Sequence, residues 1–186
     1  NMFPETIDKI SNELTPMVAT ARVIRKEHPE ASVVFIGPCA SKKLEASRRT
    51  VRSDVDFVIT FEELTGMFEA KGILLDEIKA MDEMHDATAA GRGYGVAGGV
   101  ANAIEECIHQ YYPGTEVHIE HAESLAECKK MLLLAKAGRK NGCLIEGMAC
   151  PGGCIAGAGT NIALPQAAKE VAKFKSEADK KVPEKE

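Results

Sequence analysis

The stretch ASVVFIGPCASKKLE, residues 31–45, joins a short apolar run to a cysteine and two lysines. Residues 31–37 are β-branched and aromatic in character, the composition of a buried strand. From Pro38 to Asp54 the sequence turns polar and basic and reads as a connection. VDFVIT, residues 55–60, reads as a second strand of the same kind. Upstream, TIDKISNELTPMVATARVIRKEH sets Ile7, Ile10, Leu14, Met17, Ala21 and Ile24 on one helical face, with Pro16 expected to kink or interrupt the helix. Downstream, a helix is expected over Phe61–Lys71, ended by Gly72. A glycine-rich loop then becomes a helix near Gly99 that stops before Pro113. EVHIEH (116–121) and GCLIEG (142–147) read as strands, and SLAECKKMLLLAKAG (124–138) as a helix closed by Gly138. The charged tail from Lys173 to Glu186, part of a segment starting near 166, is expected to fray and then to be partly disordered. Strands alternating with helices predict an α/β fold with a mostly parallel twisted sheet flanked by helices. Pro38–Glu45 and Glu146–Thr160 then lie beyond strand ends, where ligands gather in such sheets.

The 186 residues suffice for one domain with a core, and a net charge of -5 provides no basic footprint for nucleic acid or an anionic membrane. No apolar run reaches the length of a membrane span and no signal peptide opens the sequence, so a cytoplasmic location is expected. Six cysteines in a chain of this class point to metal, cluster or redox chemistry rather than a secreted disulfide framework.

In EGMACPGGCIAGAGT, residues 146–160, Cys150 and Cys154 are separated by three residues, where a zinc half-site or a thioredoxin-type pair has two. Glycines beside thiolates suit an iron–sulfur cluster, because backbone can approach the sulfurs. A glycine loop with incidental buried cysteines remains the plain alternative. Cys39 follows a strand beside Lys42 and Lys43, an electropositive setting that favours a ligand or nucleophile; it could equally be a small apolar residue at a strand end. Cys107, Cys128 and Cys143 read as core residues. His28, His85, His109, His118 and His121 are scattered, and His118 and His121 fall on opposite strand faces. GRGYGVAGG matches neither phosphate-loop spacing.

PCASKKLE resembles the second signature of the FeFe (iron-only) hydrogenases, and EGMACPGGCIAGAG resembles their third. VDFVITFEEL and YGVAGGV resemble segments between them, in the same order. The resemblance runs to about Gly159 and identifies residues 1–165 as the C-terminal part of the family's catalytic domain. The first signature is absent, so the chain is expected to be a fragment that does not evolve hydrogen by itself. The resemblance implies that Cys39, Cys150 and Cys154 ligate the 4Fe–4S part of the H-cluster, with Cys154 bridging to its di-iron subsite. It implies that Lys42 hydrogen-bonds a cyanide of that subsite and that Met148, Tyr94, Thr15 and Pro16 line the pocket. Ser11 falls on a proton path. The intact enzyme would interconvert protons, electrons and H2, with ferredoxin or another redox protein or domain, and the missing N-terminal part of the chain, as partners. Gly37 stands where the family usually has methionine, and Met17 where it has glutamine.

Two other readings compete. One is a non-catalytic hydrogenase-like iron–sulfur protein, an H2 or redox sensor or a cluster-assembly factor. The other is a zinc-binding or structural α/β domain.

Overall fold

A computed structural model describes residues 3–48, 52–79 and 87–184; His85 lies outside the described residues. The chain forms two compact units. One comprises Ser11–Ala80 with Gly157–Asn161, and the other Asn1–Ile10, Met81–Ala156 and Ile162–Glu186.

The first unit contains α1 (Pro16–Glu27), β1 (Val34–Ile36), α2 (Ser41–Ser47), β2 (Phe57–Ile59) and α3 (Phe61–Ala70). Pro16 starts α1 rather than kinking a longer helix. Its fixed φ and missing N–H suit the first helical position, and it holds Thr15 extended, at ψ 151°. The single apolar face expected from Ile7 to Ile24 is therefore broken. Met17, Val18 and Ala21 pack with Val33 and Val55, whereas Ile7, Ile10 and Leu14 are exposed. β1 and β2 pair in parallel. They are not buried on both faces: Phe35 and Val58 turn inward to the α1 core, and Val34, Ile36 and Phe57 are exposed. The basic stretch after Pro38 is helical over α2 rather than a plain connection. Thr60 caps α3 in a reciprocal capping box with Glu63.

The second unit contains α4 (Ala89–Arg92), α5 (Gly99–Tyr111), β3 (His118–Glu123), α6 (Leu125–Lys136), β4 (Cys143–Met148) and α7 (Leu164–Ser176). A 3-10 turn over Pro4–Lys9 joins α6 through the Glu5–Lys136 ion pair, 2.6 Å. β3 and β4 pair in parallel from His118↔Cys143 to Glu123↔Met148. The parallel α/β class holds, as two separate two-stranded sheets. Past α7 the chain is packed where the charge of the tail suggests fraying. The Lys180 and Lys181 carbonyls accept from Ala89 and Ala90 N–H, and Val182, 6% exposed, is buried with Ala90 and Ala103. One apolar residue in a charged segment is enough to dock it against α4 and α5.

Candidate functional site

Both cysteine-bearing stretches leave the carboxyl ends of parallel strands. In the first unit, Gly37 N–H closes on Ile59 O at the end of the β1–β2 pair, and Cys39 follows directly. Its carbonyl accepts from Lys42 N–H in the first turn of α2. The Lys42 ammonium lies 2.5 Å from Glu45 Oε2, and Thr15 Oγ1 donates to Glu45 Oε1 at 2.5 Å. α1 and α2 are thus joined through one half-buried carboxylate. Burial alone would push the Glu45 carboxyl up. The Lys42 and Thr15 hydrogen bonds, with the charges of Lys42 and Arg48, outweigh it and hold Glu45 below its ordinary 4.5. Lys43 pairs with Glu63 at 2.7 Å. The positive charge that the sequence places beside Cys39 is therefore largely balanced by two carboxylates three and twenty residues away from the lysines they hold.

The chain beyond Cys154 also reaches this place. Gly159 N–H donates to Pro38 O at 3.0 Å, and Gly159 O accepts from Glu62 N–H at 3.2 Å. A Cβ on Gly159 would lie 2.4 Å from Thr60 Cβ, so only glycine fits there. Gly37 has a local reason of the same kind: a Cβ on it would meet the Phe35 ring at 2.8 Å. Met17 is a core residue 5% exposed. Pro16 and Ser11 are exposed, and Ser11 Oγ accepts only from Glu13 N–H among the bonds described for it.

In the second unit, Met148 ends β4 and the loop from Cys150 to Cys154 follows. Gly152 and Gly153 have φ of +85° and +87°, a left-handed pair closed to residues with a Cβ. Gly153 N–H returns to Cys150 O, Ala97 N–H donates to Gly152 O, and Ile155 N–H donates to Gly95 O. A Cβ on Gly153 would sit 2.5 Å from Ala97 N. The glycines thus let two backbone segments touch, and one of those segments begins at Tyr94. Tyr94 packs against the Ala90, Ala103 and Val182 core together with Cys107 and Tyr111. Glu146, on the same face of β4 as Met148, is 8% exposed in its side chain. Its Oε2 accepts from Ala101 N–H at 3.4 Å and lies 3.4 Å from His121 Nδ1, while Oε1 has no partner among the described residues.

The predicted residues therefore fall into two groups. Thr15, Pro16, Cys39 and Lys42 come together through α1 and α2 in one unit. Met148, Cys150 and Cys154 follow one another at the β4 end in the other, and the segment that begins at Tyr94 pairs with their loop through Val96 and Gly153. Ser11 joins neither group by any bond described. Glu45, Glu123 and Glu146 were not singled out from sequence. The i, i+3 spacing of Lys42 and Glu45 could have marked the first, and Glu146 opens the stretch that carries Cys150 and Cys154; nothing local marks Glu123.

The donors fit an iron–sulfur cluster. All six cysteines lack disulfides and are half-buried, and the glycine loop leaves backbone free of side-chain bulk beside Cys150 and Cys154. Among the described residues no three Cys, His, Asp or Glu side chains gather about one point. In a cluster each thiolate binds its own iron, so such crowding about one point is not needed.

Residues 1–158 match the family model described as "Iron only hydrogenase large subunit, C-terminal domain". The chain is 26% identical over 200 residues to Iron hydrogenase 1 of Clostridium pasteurianum, covering 86% of this chain and 35% of the relative. It is 27% identical over 172 residues to the periplasmic [Fe] hydrogenase large subunit of Nitratidesulfovibrio vulgaris, covering 75% of this chain and 41% of that one. It is 36% identical over 64 residues to the cytosolic Fe–S cluster assembly factor NAR1 of Kluyveromyces lactis, 34% of this chain and 14% of the relative. A structure of an [FeFe]-hydrogenase HydA1 variant from Chlamydomonas reinhardtii superposes with a TM-score of 0.69 at 21% identity, over 96% of this chain and 64% of that one. The chain thus spans well under half the length of the curated relatives it matches.

Proposed function

From the premise that the chain belongs to the iron-only hydrogenase large subunit family, C-terminal domain, we propose that it is the part of a hydrogenase catalytic domain that holds three of the cluster cysteines. Cys39, Cys150 and Cys154 would ligate the 4Fe–4S portion of an H-cluster, with Cys154 the bridge to a di-iron subsite. When bound, that group would relay electrons between the redox partner and the iron centre at which protons and H2 interconvert.

The chain's own residues prepare the place. Lys42, aimed by its contact with Glu45, offers an ammonium donor to an anionic ligand. Met148 supplies soft apolar contact, Tyr94 an aromatic wall, and Thr15 and Pro16 fix the start of α1 against α2. Ser11 is assigned to proton delivery. A redox protein or domain such as ferredoxin, the remaining N-terminal part of the catalytic domain, and a cytoplasmic location complete the proposal, although one of the similar proteins is a periplasmic hydrogenase subunit.

The observation that carries the reading is the Gly159–Pro38 backbone hydrogen bond. It ties the end of the stretch containing Cys150 and Cys154 to the residue that introduces Cys39. A cofactor shared by the two stretches would need such a tie along the chain, and the bond supports the reading in that sense.

The experiment has two arms. The chain, incubated anaerobically with iron, sulfide and a small thiol as the fourth ligand, should develop 4Fe–4S absorption; a folded chain that takes up no iron and sulfide contradicts the reading. The catalytic domain with its upstream part present and its di-iron subsite installed should turn over H2. There, Lys42→Ala should abolish turnover and leave the 4Fe–4S absorption intact. A complete cluster without turnover would instead favour the sensor reading.

A further inference from the structure

The Cys150–Cys154 loop is held from outside by an acid that no signature contains. Glu123 Oε2 accepts from Gly152 N–H at 2.7 Å, in the middle of the three-residue gap between the two cysteines. Because Gly152 O accepts from Ala97 N–H, this residue is fixed through both of its backbone polar groups.

The acid is itself aimed. Glu123 N–H donates to Glu127 Oε2 at 2.9 Å, and Glu127 N–H donates to Ser124 Oγ at 3.3 Å, so the first turn of α6 braces the end of β3. Ser124 N–H donates to Met148 O at 2.9 Å, fastening the same corner to the residue that opens the cysteine loop. Ser124 adopts φ 85° and ψ 154°, a region essentially reserved for glycine. A serine stays there only where its surroundings over-determine it, and here it is held by its N–H, by its Oγ and by the neighbouring Glu123.

We propose that Glu123 is a positioning residue for the Cys150–Cys154 loop. Its carboxylate, set by Ser124 and Glu127, anchors the Gly152 amide and so fixes the spacing and direction of the two thiols. That these thiols are cluster ligands rests on the reading above; the anchoring does not. The carboxylate acts as an acceptor, so an amide of the same length retains most of the effect, and a methyl group retains none.

The test is amide hydrogen exchange by NMR on the chain as it stands, with thiol alkylation alongside. In Glu123→Ala the Gly152 amide should exchange at least tenfold faster, with amides of α5 and α7 unchanged, and Cys150 and Cys154 should alkylate faster while Cys107 does not. In Glu123→Gln exchange at Gly152 should stay within about threefold of the parent. Unchanged Gly152 exchange in Glu123→Ala would overturn the proposal. Uniform acceleration through α5 and α7 in both variants would overturn it as well, because Glu123 would then support the whole unit and not the loop. Failure of the cluster reading would look different: a protected Gly152 amide in a chain that binds no iron and sulfide.

Discussion

Lys42 Nζ sits 2.5 Å from Glu45 Oε2 while Thr15 donates to the other oxygen of the same carboxylate, so one acid links the lysine of α2 to the start of α1. The Glu45 carboxyl is held below its ordinary 4.5, with burial opposing and the Lys42 and Thr15 bonds prevailing. A depressed carboxylate contributes stability above its unfolded pKa and loses it as pH falls through the folded one. The network should therefore be fully formed near neutrality and weaken only below about pH 4.5. Glu45→Gln should remove that part of the acid-side loss of Tm. Equal acid-side slopes in the parent and Glu45→Gln would show that the network adds nothing.

Gly153 should tolerate no side chain. Its φ of +87° and the 2.5 Å approach of a Cβ to Ala97 N set backbone against backbone. Gly153→Ala should cost about 3 kcal/mol, combining left-handed strain with displacement of the Tyr94–Ala97 segment. Chemical denaturation measures it, and a loss under about 1 kcal/mol would contradict the described loop.

Ser124→Gly should stabilise the chain. Relief of the backbone strain is worth about 1–3 kcal/mol, and a glycine cap in place of serine costs a few tenths. The net gain should raise Tm by about 2–4 °C for each kcal/mol in a chain of this size. Ser124→Ala keeps the strain and loses the Oγ bond to Glu127 N–H, so its Tm should fall. A Tm for Ser124→Gly at or below the parent's would contradict the conformation assigned to Ser124.

The charged tail should matter to stability. Val182 is 6% exposed against Ala90 and Ala103, and Tyr111 donates its hydroxyl to Pro183 O. Val182→Asp should destabilise by about 2–4 kcal/mol, as a charge enters an apolar contact. A change within about 0.5 kcal/mol would mean the tail is not docked.

Much of this fold was legible in the sequence because it depends on local signals. Gly72 and Gly138, at φ of 67° and 73°, end α3 and α6 where expected, and the β-branched runs became parallel strands. The errors came from reading a local pattern without its partners. The periodicity from Ile7 to Ile24 was real, but Pro16 placed its break at a helix start, and the residues before it lost the core face. Val182 looked like part of a charged tail because its partners lie on α4 and α5, far away in sequence. The cysteines and Lys42 stood out through motif chemistry. Glu123 did not, because its only mark is a bond to a backbone amide 29 residues on, which no side-chain pattern encodes.

The central claim is that Cys39 works with Cys150 and Cys154. The most direct measurement is cross-linking of the folded chain with a short bifunctional thiol reagent, the pairs being identified by mass spectrometry. The account predicts Cys39 linked to Cys150 or Cys154, in yields that fall when iron and sulfide are bound first. Products confined to Cys150–Cys154 and to pairs among Cys107, Cys128 and Cys143, with Cys39 modified but never linked to that loop, would contradict it.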